Sequence, residues 1–82
     1  MGDIIGKEVI DMITLEQIRD NFQHELKKCG LSQSEIAQKL NLSKQTISCY
    51  MHGKKLPALD TFANLCKELD IDPAYILCQD DD

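Results

Sequence analysis

Eighty-two residues fit one small domain, well below the size at which a chain splits into several cores. The balance of 43% hydrophobic and 28% charged residues is that of a globular protein. No apolar run approaches the roughly 20 residues that span a bilayer, and the start lacks the basic and apolar regions of a secretory signal, so a cytoplasmic location is expected. The net charge of −5 argues against a general nucleic-acid coat, because phosphate contacts favour a basic protein.

In the first thirteen residues Ile5, Val9 and Ile13 recur four apart. That spacing suits either a short helix or an apolar arm, and a partly ordered N-terminal arm over 1–13 is the expectation. Met12 is an alternative start, since the strong helix signals begin just after it. A single domain is expected over 14–78, followed by an acidic tail at 79–82.

Thr14, Ser32, Ser43 and Asp72 each read as an N-cap, whose side chain satisfies an otherwise unpaired backbone N–H. Thr14 with Gln17, and Ser32 with Glu35, have the spacing of capping boxes. At all four starts, apolar residues flank the cap as a hydrophobic staple: Ile13/Ile18, Leu31/Ile36, Leu42/Ile47 and Ile71/Ile76. One such match is weak evidence; four define boundaries.

The first helix is predicted from about Leu15 to Cys29, burying Leu15, Ile18, Phe22 and Leu26 at helical spacing, with Gly30 ending it in a left-handed conformation. The second and third cover about 33–40 and 44–52, and Gly53 ends the third. Lys54 to Ala58 reads as a loop that Pro57 closes. A fourth helix over about 59–69 places Leu59, Phe62, Leu65, Cys66 and Leu69 on one side. Asp72-Pro73 opens a short fifth, since proline suits the first helical turn, and Tyr75, Ile76 and Leu77 are expected to close the core. The fold class is all-α, in five helices.

Cys29, Cys49, Cys66 and Cys78 form no CxxC pair. Structural zinc sites show such short spacing, so four free thiols are expected, with no metal and no cofactor. A catalytic role is not expected either: the chain shows no nucleophile–base pair, phosphate-cradling glycine loop or metal-ligand spacing.

The stretch from Gln33 to Gly53 carries the functional signal. It reads as two short amphipathic helices joined by a tight turn, with Ile36, Leu40, Leu42, Ile47 and Tyr50 facing inward. Ala37 is small enough for close helix approach, and Asn41 tolerates the left-handed backbone of the turn. This is the spacing of a helix-turn-helix. Its second helix turns outward Gln45, Ser48, Cys49 and His52, with Lys44 at the edge, a face suited to a DNA major groove. From Gln33 to Lys55 four lysines oppose Glu35, a net of +3 that leaves −8 on the rest. A local basic face on an acidic body suits a selective reader with modest non-specific affinity.

The GLSQSEIAQKL block, the run from Ser43 to Gly53, the Lys-Lys-x-Pro loop and the closing LDIDPAYIL stand in one order. From about Leu15 to Leu77 the sequence thereby resembles the lambda-repressor-like helix-turn-helix family, which includes Cro and phage repressors. The resemblance implies a compact five-helix domain that works as a homodimer on a double-stranded DNA operator with two-fold-related half-sites. Position by position, it implies that Lys44, Gln45, Ser48 and Cys49 read bases. Gln33, Asn41, Thr46, Lys54 and Lys55 would approach the DNA backbone. Tyr75, Ile76 and Leu77 are its candidates for the dimer surface.

Two positions depart from the family pattern. Cys49 stands where relatives often place a longer polar or basic reader, and a thiol there suits apolar contact with a thymine methyl. Leu26 and Met51 replace both ends of a buried arginine–carboxylate pair found in some phage repressors, a double change that strands no charge and leads us to expect that the two touch. The resulting expectation is a homodimeric transcriptional repressor, compatible with a prophage regulator, a restriction–modification controller or an antitoxin. The alternative is a protein-interaction module of the same fold, such as an antitoxin-like partner of a toxin, with weak or no DNA binding.

Overall fold

Thr14, Ser32, Ser43 and Asp72 each accept a hydrogen bond from a backbone N–H two or three residues ahead. These caps start four of the five helices in the computed structural model, which describes residues 12–79. The helices are α1 (Leu15–Lys28), α2 (Gln33–Leu40), α3 (Lys44–Met51), α4 (Leu59–Leu69) and α5 (Pro73–Ile76). Both capping boxes close. Thr14 Oγ1 accepts from the Gln17 amide at 3.2 Å while Gln17 Oε1 accepts from the Thr14 amide at 2.8 Å. Ser32 and Glu35 repeat the exchange at 3.1 and 2.8 Å. Each cap contributes about 1 kcal/mol, which matters in a chain this small. Only α4 starts without one, at Ala58.

The helix ends follow a second rule. Asn41, Gly53 and Asp70 all take the left-handed conformation. In each case the following residue's amide reaches back five residues: Leu42 to Ala37 at 2.9 Å, Lys54 to Cys49 at 2.9 Å and Ile71 to Cys66 at 2.8 Å. This Schellman geometry satisfies carbonyls that the helix leaves open. Asp70 in this role has no counterpart in the sequence reading, because the usual signal for such a helix end is glycine or, less often, asparagine.

All five helices meet on one core. Phe22, Leu26, Ile36, Ile47, Leu65 and Ile76 are fully buried, with Ala37, Tyr50, Cys66 and Ile71 around them. Each fully buried large side chain contributes roughly 1.5–3 kcal/mol. Phe22 lies at the centre, edge-on to Tyr50 at 5.7 Å and to Phe62 at 6.1 Å. Leu40, Leu42 and Met51 pack against this cluster, half-buried. Leu26 and Met51 therefore belong to one apolar body. Asn21 pins α5 onto α1 by donating to the Ile76 carbonyl at 3.1 Å.

Three expected core residues lie at the surface: Leu15 is 60% exposed, Leu59 84% and Tyr75 52%. Helical spacing gives the side a residue faces, and does not say where along the helix the covering elements stop. Leu15 and Leu59 sit on the first turns of α1 and α4, beyond that cover. The Tyr75 ring lies 5.8 Å beneath the Lys28 ammonium instead of inside the core, a cation–π geometry. Ile76, by contrast, is fully buried within its own chain. It offers no surface to a second copy, and this removes it from the candidate dimer contacts.

The expectations for residues 1–11 and for the Asp80–Asp82 end lie outside the described residues. Met12 and Ile13 are described and exposed. Among the described residues no helix is long and apolar enough to cross a membrane, and none of the four cysteines is in a disulfide.

Candidate nucleic-acid interface

The turn between α2 and α3 is set by Asn41, whose left-handed backbone (φ 56°) lets the chain reverse and present α3 across α2. Ser43 then starts α3. Its Oγ accepts from the Thr46 amide at 3.0 Å and lies 2.8 Å from the Thr46 hydroxyl. Thr46 is thus held at the helix start, with its hydroxyl already engaged. Ile47 and Tyr50 face the core, and their burial fixes the rotation of α3 about its axis. Burial also pushes the Tyr50 phenol above its ordinary range, so it stays a neutral core group.

That rotation leaves Lys44 and Gln45 exposed and Ser48 and Cys49 half-exposed on the outer face. A shallow polar depression of about 170 Å³ lies there, lined by Ser43, Gln45, Thr46, Cys49 and Lys55. Lys55 comes from the loop after α3, and the fold brings it beside Gln45 and Cys49. Lys54 is exposed next to it. Among the described residues the one ion pair is Lys28–Glu25 at 3.6 Å. Lys44, Lys54 and Lys55 have no acidic partner within that set.

The other candidates are placed differently. His52 ends α3 with Nδ1 2.8 Å from the Ser48 carbonyl oxygen and 3.4 Å from the Ser48 hydroxyl, so it caps the helix at the far end of the outward stripe. Gln33, first residue of α2, directs its amide at the Met51 sulfur, 3.7 Å away. It lies by the last turn of α3, apart from the Gln45–Lys55 group. Asn41 is exposed at the turn, separate from both.

Two residues of α1 shape this region, and nothing in their local sequence marks them. Gln23 Nε2 donates to the Met51 carbonyl at 3.1 Å, satisfying a carbonyl in the last turn of α3. Gly53, in left-handed conformation at φ 72°, faces the same side chain. A Cβ there would stand 2.7 Å from Gln23 Oε1 and 3.3 Å from Arg19 Cδ. Glycine suits 53 for its backbone, and a Cβ there would push the end of the Gln23 side chain away from Met51. The pair could have been suspected only by placing Arg19 and Gln23, one turn apart, on the α1 face that meets α3.

Chemically, the arrangement offers a rigid helix start with an amide, an ammonium group and a thiol on one face, flanked by further lysines. An amide can bond adenine bidentately and an ammonium can bond guanine or phosphate. Among the described residues no cluster of three or more His, Cys, Asp or Glu is placed to hold a metal ion. Comparison with protein-family models matches residues 23–76 to the family described as helix-turn-helix. That range runs from inside α1 to the end of α5 and contains every residue of the face just described. Comparison with curated proteins and with solved structures gave no match.

Proposed function

Because the chain belongs to the helix-turn-helix family of lambda-repressor-like regulators, we propose that it is a sequence-specific, homodimeric repressor that reads the major groove with α3. The observation that carries this reading is the group around Gln45: Gln45, Cys49 and Lys55 line one outward depression, and Lys44 is exposed at the start of the same helix. Gln45 and Lys44 read bases, Ser48 and Cys49 contact the groove beyond them, and Thr46, Asn41 and Gln33 approach the backbone. Lys54 and Lys55 contact phosphate. The net charge of −5 keeps non-specific affinity low, so discrimination rests on the bases. Tyr75, exposed near the end of the chain, provides the surface for a second copy.

Selection from random-sequence double-stranded DNA at stated salt tests this directly. The expected product is a two-fold-related site whose halves are centred about 34 Å apart, one helical turn. Enrichment of an unsymmetrical site would remove the dimer from the reading. A module of this fold that binds a protein partner instead would retain no DNA at all.

A further inference from the structure

Along α1, α4 and the loop that joins α3 to α4 lies an open apolar groove of about 360 Å³. Leu15, Ile18, Leu56, Pro57, Leu59 and Phe62 line it, with Leu15 and Leu59 exposed at its lip. Water against so apolar a surface is unfavourable, and contiguous exposure of this kind marks a docking site. We propose that residues 1–11 of the same chain fill this groove, with Ile5 and Val9 as the anchoring side chains.

Three observations select this occupant. The segment joins the fold at Met12, three residues before Leu15, so its local concentration at the groove is of the order of millimolar or more. It carries Ile4, Ile5, Val9 and Ile10, whereas residues 80–82 are all aspartate and have nothing to bury. Its charge also fits: Asp3, Glu8 and Asp11 outweigh Lys7, and the loop that supplies Leu56 and Pro57 opens on Lys54 and Lys55.

A second folded copy fits less well. A two-fold contact sets the same patch against itself, which would bring the Lys54–Lys55 loops of both copies to one interface. With residues 1–11 seated, the loop is braced at Leu56 and Pro57.

Methyl-labelled full-length chain tests the proposal by nuclear Overhauser spectroscopy. Cross-peaks are expected from the Ile5 and Val9 methyls to Leu15 and the Phe62 ring. They should vanish from isotope-filtered spectra of mixed labelled and unlabelled protein, as contacts within one chain must. In the double variant Ile5→Asp, Val9→Asp, the Phe62 amide, bonded to Ala58 at 2.8 Å, should exchange about tenfold faster, as loss of one to two buried side chains implies. Absence of the cross-peaks, or unchanged exchange, overturns the proposal. Groove cross-peaks that persist in the filtered spectra would instead make the occupant a second copy.

Discussion

Gln23 and Met51 are joined by a hydrogen bond of 3.1 Å from the side-chain amide of one to the carbonyl of the other. It links the middle of α1 to the last turn of the proposed recognition helix, 28 residues later in the chain. Removing it by Gln23→Ala should cost about 1 kcal/mol, the typical net value of one such bond. Urea denaturation measures the loss, and it should be accompanied by faster amide exchange at His52 and Gly53. If only global stability fell, with no local change at the end of α3, the bond would have no positioning role.

Gly53 and Gly30 allow backbone strain to be separated from crowding. Both have positive φ, 72° and 80°, but a Cβ at 30 meets nothing within 4 Å. Gly30→Ala should therefore cost about 1 kcal/mol, the left-handed penalty alone. Gly53→Ala should cost about 2–3 kcal/mol, because it also displaces Gln23 from its partner. In a Gln23→Ala background the two glycine substitutions should become nearly equal, since the coupling lies between residues 23 and 53. Equal costs in the unaltered chain would show that Gln23 yields without loss.

These residues mark the limit of what was legible in the sequence. The caps at Thr14, Ser32, Ser43 and Asp72 were readable because each acts on its own next turn. The inward set of α2 and α3 was readable because helical spacing and a tight turn leave little choice of rotation. Leu15, Leu59 and Tyr75 were misplaced for a different reason: periodicity assigns a side, and the length of the buried stripe depends on elements elsewhere. Of the candidate interface, Lys44 and Gln45 followed from the helix start alone. The approach of Lys55 to Cys49 and the contact of Gln23 with Met51 depend on tertiary packing, which no local pattern encodes.

Glu35 links stability to acidity. Hydrogen bonds from the Ser32 backbone amide and then the Ser32 hydroxyl hold its carboxyl below the ordinary value of 4.5. A carboxyl depressed in the folded state stabilises the fold fully above its unfolded pKa, and this contribution disappears as pH falls through the folded value. Stability should thus fall with acidification beginning near pH 4.5, and Glu35→Gln should flatten part of that fall. Chemical denaturation at a series of pH values provides the comparison. Identical profiles for both chains would mean that the capping box does not distinguish the ionised acid from the amide.

Base readout and phosphate contact predict different signatures. Gln45→Ala should relax preference at one base step, at a cost of about 1–3 kcal/mol against the preferred sequence. Lys54→Ala and Lys55→Ala should weaken all sequences alike and make the salt dependence shallower, by about 0.9 in log–log slope for each lost phosphate contact. Titrations of preferred and scrambled sites at several salt concentrations separate the two. A Gln45→Ala protein with unaltered sequence preference would remove Gln45 from the readout.

Cys49 gives a chemical test of the same face. It is half-exposed beside Gln45 and Lys55, whereas Cys66 is buried and its thiol is pushed up by that burial, with the Asp72 carboxylate adding to the effect. Alkylation requires thiolate and access, so Cys66 should react slowly whether or not DNA is present. Cys49 should react readily in the free protein and be shielded when the selected DNA site is bound. Cys29 and Cys78, half-exposed but outside the proposed interface, should keep their rates and serve as internal controls. Peptide mapping after timed alkylation distinguishes all four. Shielding confined to Cys49 would place the DNA on the outer face of α3; an unprotected Cys49 in a saturated complex would mean that α3 does not lie in the groove.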